Sequence, residues 1–409
     1  MTDAPSRQPA AADDAIVLAF SGGLDTSFCI PWLKETYGRP VVTATVDTGG
    51  LDAGAAKALE ERALALGAAR HVLVDARAEF FDRVLKYLIF GNVRRGHLYP
   101  LCVGAERGVQ ARHLAELAKR MGAGTVAHGC TAAGNDQVRF EIILKTLAPE
   151  LEVLAPVRDH AWVRADQVAY LEKRGLPVPS RGSAYSINRG LWGVTIGGTE
   201  TLESRESIPE SAWVLSSGAF ERPREPREIE IEFERGVPVG VDGERLAPVA
   251  LIERLESVGA AYAIGRGIHV GDTILGTKGR VAFEAPAADI LITAHRELEK
   301  LTLTGLQMRV KDPLAQTYGD LVHEGKQLDP AARDIEALLA SSQARVTGTV
   351  RCVLRPGSLF VAGAVSPHSL MAASRGKYGE SAGEWTPADA VGFSRVLALP
   401  GILHTRAGG

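Results

Sequence analysis

The run Ala19-Phe20-Ser21-Gly22-Gly23-Leu24-Asp25-Thr26-Ser27 ends an apolar stretch that begins at Ala15. Gly22 and Gly23 lack Cβ atoms, so the chain can turn tightly there and point successive N–H groups at an anion. Ser21, Thr26 and Ser27 add hydroxyl donors where a helix begins, and a helix N-terminus favours negative charge. Three or four such charge-assisted bonds, at roughly 1.5 to 3 kcal/mol each, would hold a pyrophosphate group. Asp25 is the odd member beside phosphates. It is read as a helix cap, with an indirect role through Mg²⁺ as the second option. The string is not a Walker A loop, because the Gly-Lys-Ser/Thr ending and the spacing of its glycines are missing. The plain alternative is an ordinary strand-to-helix turn, in which glycines and small polar residues are common.

A second cluster follows another short apolar stretch, Gly124 to His128. It runs Gly129-Cys130-Thr131-Ala132-Ala133-Gly134-Asn135-Asp136-Gln137-Val138-Arg139-Phe140-Glu141. Asn135, Asp136 and Arg139 share one helical turn, and a spacing of three puts Asp136 and Arg139 on one face. A carboxylate beside a guanidinium can grip a zwitterionic amino acid at both of its charges. Alone, the same pair would be a capped helix with a surface ion pair worth about 0.5 kcal/mol.

The elements that must position these clusters alternate. Strands are expected near 15–20, 41–46, 71–74, 124–128 and 152–154, and helices near 27–36, 53–66, 79–90, 106–121 and 137–147. That order gives an α/β fold with a parallel sheet covered on both faces. Both clusters fall at carboxyl ends of strands, where such sheets bind ligands. After the Pro- and Gly-rich passage 175–182 the pattern changes. Ile229, Ile231 and Phe233 alternate with charges, and turns at Gly236 and Asp242-Gly243 imply antiparallel pairing. Helices are expected at 248–258, 288–302, 312–324 and 330–342, and strands at 345–354 and 358–365, before a polar tail. The expected division is a disordered segment 1–13, a nucleotide-binding domain 14–180, an α+β substrate domain 181–369 and a C-terminal arm 370–409.

A net charge of −3 and the absence of basic runs with interleaved aromatics argue against a nucleic-acid partner. The four cysteines form no CxxC or Cys/His cluster, which points to a reducing compartment and no structural metal. Residues 1–14 lack the apolar core of a signal peptide, and no run reaches membrane-spanning length, so a cytoplasmic protein is expected.

Together the two clusters resemble the argininosuccinate synthase family of ATP pyrophosphatases, the string Gly-Asn-Asp-Gln-Val-Arg-Phe-Glu being the more specific of the two. The likeness runs through nearly the whole chain after the first dozen residues. It takes in Tyr99-Pro100-Leu101, Tyr185-Ser186-Ile187, Glu230-Ile231-Glu232-Phe233, Gly265-Arg266-Gly267, Ser366-Pro367 and Thr386-Pro387-Ala388-Asp389. The resemblance implies an adenine nucleotide alpha hydrolase-like first domain, a synthetase domain and an oligomerisation arm in a homotetramer. It implies a ligase of arginine biosynthesis that converts ATP, citrulline and aspartate to argininosuccinate, AMP and pyrophosphate through an adenylated citrulline, with Mg²⁺. Carried over residue by residue, Ala19 to Ser27 with Val46 and Gly129 would hold ATP. Thr131, Asn135 and Asp136 would hold aspartate, and Tyr99, Asn135, Arg139, Ser186 and Thr195 would face citrulline. Asp136 is the candidate to orient or deprotonate the aspartate amine, and Asp25 the second candidate catalytic residue.

The chain departs from the family mainly at one substrate. Gly104 stands where Ser is usual, Gly271 where many members carry Glu, Phe283 where many carry Tyr, and Ala132-Ala133 where Gly-Lys is common. Contacts of roughly 1 to 3 kcal/mol each would be lost unless replaced. Arg94, Arg95 and Arg107 are near enough in sequence to Tyr99 to offer replacements. The departures keep two alternatives open: a related synthetase adenylating a modified ureido acceptor, and a noncatalytic sensor of ATP or an amino acid. A sulfur transferase acting on RNA and a glutamine-dependent amide synthetase lack the paired cysteines and the amidotransferase nucleophile they would need.

Overall fold

The computed structural model describes residues 14–179, 185–222, 224–380 and 382–408. The expected disordered segment 1–13 lies outside the described residues, as do residues 180–182 of the Pro- and Gly-rich passage.

Fourteen strands are present among the described residues: β1 (Ile16–Ala19), β2 (Val41–Asp47), β3 (Arg70–Asp75), β4 (Thr125–Ala127), β5 (Glu152–Leu154), β6 (Ser186–Gly190), β7 (Gly193–Gly197), β8 (Arg227–Glu234), β9 (Val237–Val241), β10 (Glu244–Arg245), β11 (Arg266–Asp272), β12 (Lys278–Glu284), β13 (Gly348–Arg355) and β14 (Ser358–Val365). The first five form a parallel sheet in the order β3-β2-β1-β4-β5. Strand order changes direction at β1, so the loops leaving β1 and β4 open side by side. Successive residues of β1 serve opposite faces. Ile16 and Leu18 pack with Phe28 and Leu33 of the helix Leu24–Tyr37, while Val17 packs with Ala111 and Leu114 of the helix Arg107–Met121 and Phe140 of the helix Asn135–Leu147.

Beyond residue 185 the pairing is antiparallel. One sheet has the order β10-β9-β8-β13-β14, and the turns joining β8, β9 and β10 hold Arg235, Gly236, Asp242 and Gly243 at positive φ, as the turn residues predict. A third sheet, β11-β12-β7-β6, was not anticipated. Its strands are short and rich in glycine, so their alternation is weak. A helix at Arg164–Lys173 was not anticipated; among the expected helices the first begins at Leu24 rather than 27, and those expected at 288 and 312 begin at Pro286 and Gly305. The helix expected at 79–90 is interrupted by a π-helical stretch, Phe81–Leu85. The tail is not simply polar. Its helices Pro387–Leu397 and Leu399–Gly408 leave Phe393, Val396, Leu397 and Leu403 exposed. No helix among the described residues is long and apolar enough to cross a membrane.

Lys311 and Glu299 form an ion pair at 3.0 Å with both side chains essentially inaccessible. Lys311 also donates to the Phe90 carbonyl, and Gln343 donates to Glu299 at 2.9 Å. This network ties the helices Pro286–Thr302 and Gly305–His323 to the segment after Lys86. Removing one partner strands the other charge in the interior. Glu299→Ala is therefore expected to lose about 3 to 5 kcal/mol of stability, read from urea denaturation; a loss below about 1 kcal/mol would mean that Lys311 reaches water.

Candidate functional site

The loop after β1 is built around its glycines. Gly22 has φ of 75°, and a Cβ there would collide with the Leu59 side chain, so the left-handed turn and the close approach both require glycine. Arg62 braces the turn by donating to the Gly22 carbonyl at 2.7 Å, and Thr45 donates to the Phe20 carbonyl at 2.6 Å. Ser27 is the first residue of this turn whose N–H enters the helical ladder, bonding to Gly23 at 2.9 Å. The N–H groups just before it are left for another acceptor, as at any helix start. The Ser27 hydroxyl turns inward to the Gly22 carbonyl at 3.5 Å, so it is not a free donor as expected. Asp25 also differs from expectation. The N-cap is Gly23 with no side-chain cap, because the helix begins before Asp25 and carries it into the first turn, where it lines the cavity.

The loop after β4 lies against this turn. A Cβ on Gly129 would sit 2.9 Å from the Thr26 methyl and 3.1 Å from its nitrogen, so the two clusters come together through backbone contact at a glycine. Between them opens a cavity of 390 Å³. Ala19, Phe20, Ser21, Gly23, Asp25, Thr26, Val46, Gly129 and Asp136 line it, and β6 closes part of it with Ile187, Asn188 and Arg189. Among the other expected residues, Gly22, Leu24, Ser27, Thr131, Asn135, Tyr99, Arg139, Ser186 and Thr195 are not among the lining residues.

Charge in the cavity is ordered by Asp136. Arg139 donates to its Oδ1 at 2.6 Å, the spacing of three giving this pair directly. Arg107 donates through Nε to its Oδ2 at 2.9 Å, a contact that sequence reasoning missed. Burial pulls the Asp136 carboxyl upward, but the two guanidinium groups outweigh it and hold the acid down at about 2. About a third of this side chain, 35 %, stays open to the cavity, so a ligand can reach it. Arg139 itself is buried and also donates to the His323 carbonyl at 2.7 Å. His128 lines the same cavity and is kept neutral: burial, then Arg158, lowers it to about 4.

The family departures have structural counterparts. A Cβ on Gly104 would lie 3.2 Å from Arg139 Nη2, so the guanidinium occupies the space a side chain would take. A Cβ on Gly271 would lie 3.1 Å from Arg95 Nη1 and close to His269. Phe283 meets Tyr99 edge-on at 5.1 Å, and the Tyr99 hydroxyl donates to the Cys102 carbonyl at 2.6 Å. Of the three arginines considered as replacements, Arg94 turns away to Asp289 and Thr293, Arg95 donates to the Asp272 carbonyl, and Arg107 alone reaches the cavity. Asn135 accepts from the Ile274 N–H at 2.9 Å, tying its loop to the β11–β12 turn. Gly22→Ala is expected to weaken pyrophosphate binding at least tenfold, measured by calorimetry, since both φ and space oppose a side chain there; unchanged affinity would show that the loop is not the anion site.

Two family models match the chain: an arginosuccinate synthase N-terminal HUP domain over residues 15–177 and an arginosuccinate synthase C-terminal domain over residues 185–403. Curated relatives cover almost the full length. An argininosuccinate synthase of Dehalococcoides mccartyi is 39% identical over 397 residues, 96% of this chain and 96% of the relative. One from Xanthomonas campestris is 40% identical over 397 residues, 96% and 98% of the two chains, and one from the archaeon Methanocaldococcus jannaschii is 39% identical over 358 residues, 87% and 89%. The chain belongs to the argininosuccinate synthase family.

Proposed function

We propose that the chain is a ligase that joins L-citrulline to L-aspartate, converting ATP to AMP and pyrophosphate and forming argininosuccinate for arginine biosynthesis. The observation that carries this reading is the meeting of two unlike features in one cavity: a turn with free N–H donors, and a carboxylate held ionised between two guanidinium groups.

The chemistry has two displacements. The ureido oxygen of citrulline attacks the α-phosphorus and pyrophosphate departs, so its charge must be met where it develops. Residues 19–27 are assigned to the phosphates, the N–H groups of the helix start ahead of Ser27 being the available donors, with Val46 and Gly129 along the nucleotide. The donor set also suits a magnesium ion, because Asp25 supplies a carboxylate to the wall of the cavity that Ser21 and Thr26 also line. Bound there, the metal would neutralise charge on the phosphates.

In the second displacement the aspartate amine, having lost its ammonium proton to solvent, attacks the activated ureido carbon; the C–O bond to the phosphate breaks, AMP leaves, and the surplus proton on the new C–N nitrogen is released with it. Thr131, Asn135 and Asp136 are assigned to aspartate, with the Asp136 carboxylate facing the ammonium. A group held near 2 is too weak a base to draw the proton efficiently, so Asp136 is given the orienting role rather than the deprotonating one. Tyr99, Asn135, Arg139, Ser186 and Thr195 are assigned to citrulline. The Arg139 guanidinium takes the space beside Gly104, and Arg95 with His269 the space beside Gly271, so in this reading citrulline is held by the remaining assigned residues and Arg107 is the one considered arginine that reaches the cavity.

Residues 14–180 are taken as the nucleotide domain, 181–369 as the synthetase domain and 370–409 as an arm. The exposed apolar residues of the last two helices support packing of that arm on another subunit in a cytoplasmic homotetramer.

Pyrophosphate release from ATP with Mg²⁺ and aspartate, with and without citrulline, tests the proposal while mass spectrometry follows the product. Citrulline-dependent pyrophosphate with argininosuccinate is the expected result; ATP binding without cleavage would overturn it. Asp136→Asn is expected to slow product formation at least tenfold while citrulline-dependent positional isotope exchange in ATP persists. Equal loss of both would remove Asp136 from the second step.

A further inference from the structure

Glu106 lines the cavity, yet none of the chemistry above uses it. Only 4 % of its side chain is accessible. A buried carboxylate is costly to desolvate and gives little net stability even when paired, so its presence in a binding cavity calls for a reason other than stability. Its contacts are specific. Arg107 Nη1 donates to Oε1 at 2.8 Å, and the Thr48 hydroxyl donates to Oε2 at 2.9 Å. Gln110 supports both partners: its Nε2 donates to Thr48 at 3.0 Å, and its Oε1 accepts from Arg107 at 2.8 Å. The β6–β7 turn makes room for this carboxylate, since a Cβ on Gly190 would overlap Glu106 Oε2.

The approach to Glu106 is strained. Asn92, His97, Leu101 and Val103 have φ of 49°, 60°, 61° and 59°, and a β-branched residue such as Val103 rarely adopts that conformation. Such strain persists only where surrounding contacts over-determine it. Here the strained segment delivers Glu106 and Arg107 to the cavity side by side.

Arg107 is a planar fork, and its two carboxylate contacts divide it. Nη1 faces Glu106 while Nε faces Asp136. Fixing one edge of the fork fixes the other. We infer that Glu106 is a positioning residue for the second displacement: it locks Arg107 in the orientation that presents the Asp136 carboxylate to the aspartate amine. This rests on the functional reading above.

The charge state of Glu106 then matters. Burial pushes its carboxyl up to about 7, while Arg107 and then Thr48 pull the other way and the Asp136 charge adds a further upward push. Gln110 faces it as a neutral group, and Arg189 of β6 is turned to Glu256. Cys102, behind it, is a neutral thiol, pushed up to about 12 by its own burial. Above its pKa Glu106 is ionised, and the row Glu106, Arg107, Asp136 and Arg139 is balanced. As pH falls through that value Glu106 takes a proton, the row gains a positive charge, and the hold on Arg107 weakens.

Glu106→Gln, which keeps the shape, and Gly190→Ala, which displaces the carboxylate without deleting it, test the inference in the full chain with ATP, Mg²⁺, citrulline and aspartate. The wild type is expected to show an acid limb near 7 in kcat/KM for aspartate. Glu106→Gln should lose that limb and raise KM for aspartate about tenfold. Citrulline-dependent isotope exchange should stay within about twofold in both variants, and Gly190→Ala should share the defect towards aspartate. A merely structural role would lower both half-reactions together and leave the pH profile in place. Parallel loss of exchange and product, or a retained acid limb in Glu106→Gln, overturns the inference. If the wild type makes no argininosuccinate, the functional reading fails instead; if it does and Glu106→Gln matches it at every pH, only the role of Glu106 falls.

Discussion

Everything at the cavity depends on one constraint, the parallel pairing of β1 between β2 and β4. Ile16, Val17 and Leu18 lie in register with Val41, Val42 and Thr43 on one side and with Thr125, Val126 and Ala127 on the other. Parallel strands end at the same edge of a sheet, so the glycine turn after β1 and the polar loop after β4 are forced to be neighbours. The direction of strand order reverses at this point, which leaves a crevice instead of a crossing helix. Gly129 lets the two loops close to backbone contact with Thr26, and any side chain there would push them apart.

Within that crevice the energetics are those of opposed charges out of water. Asp136 is stable as an anion only because Arg107 and Arg139 approach it from different elements, and the two arginines are tolerated only because their remaining donors are met by Glu106, Gln110 and the His323 carbonyl. Each contact offsets a desolvation cost that would otherwise expel the group or neutralise it. The row is therefore interdependent, and changes at one member should not add simply to changes at its neighbour.

The antiparallel part of the chain contributes shape more than charge. β6 brings Ile187, Asn188 and Arg189 to the cavity, and the β11–β12 turn is tied to Asn135 through Ile274. Its own rigidity comes from the buried Lys311–Glu299 network and from aromatic packing of Phe283 on Tyr99. The space released at Gly104, Gly271 and Phe283 is filled by side chains already present, so those positions are packed and not open.

Local chemistry made much of this legible. Alternating apolar segments specified the parallel sheet, the small residues of 19–27 specified a tight glycine turn between β1 and a helix, and the spacing of three specified the Asp136–Arg139 pair, because each is encoded within a few consecutive residues. Helix starts were less legible, and so the capping role read for Asp25 was wrong: a helix that begins at Leu24 uses Gly23 instead. The third sheet, the Arg62 brace, the Arg107 contact and buried Glu106 were decided only by tertiary structure. Arg62 meets Gly22 across 40 positions, Arg107 meets Asp136 across 29, and Thr48 meets Glu106 across 58. No periodicity or motif spans such separations. A surface arginine and a buried one have the same one-letter code, and only the packing that removes water from around them turns a charge into a constraint on its neighbours.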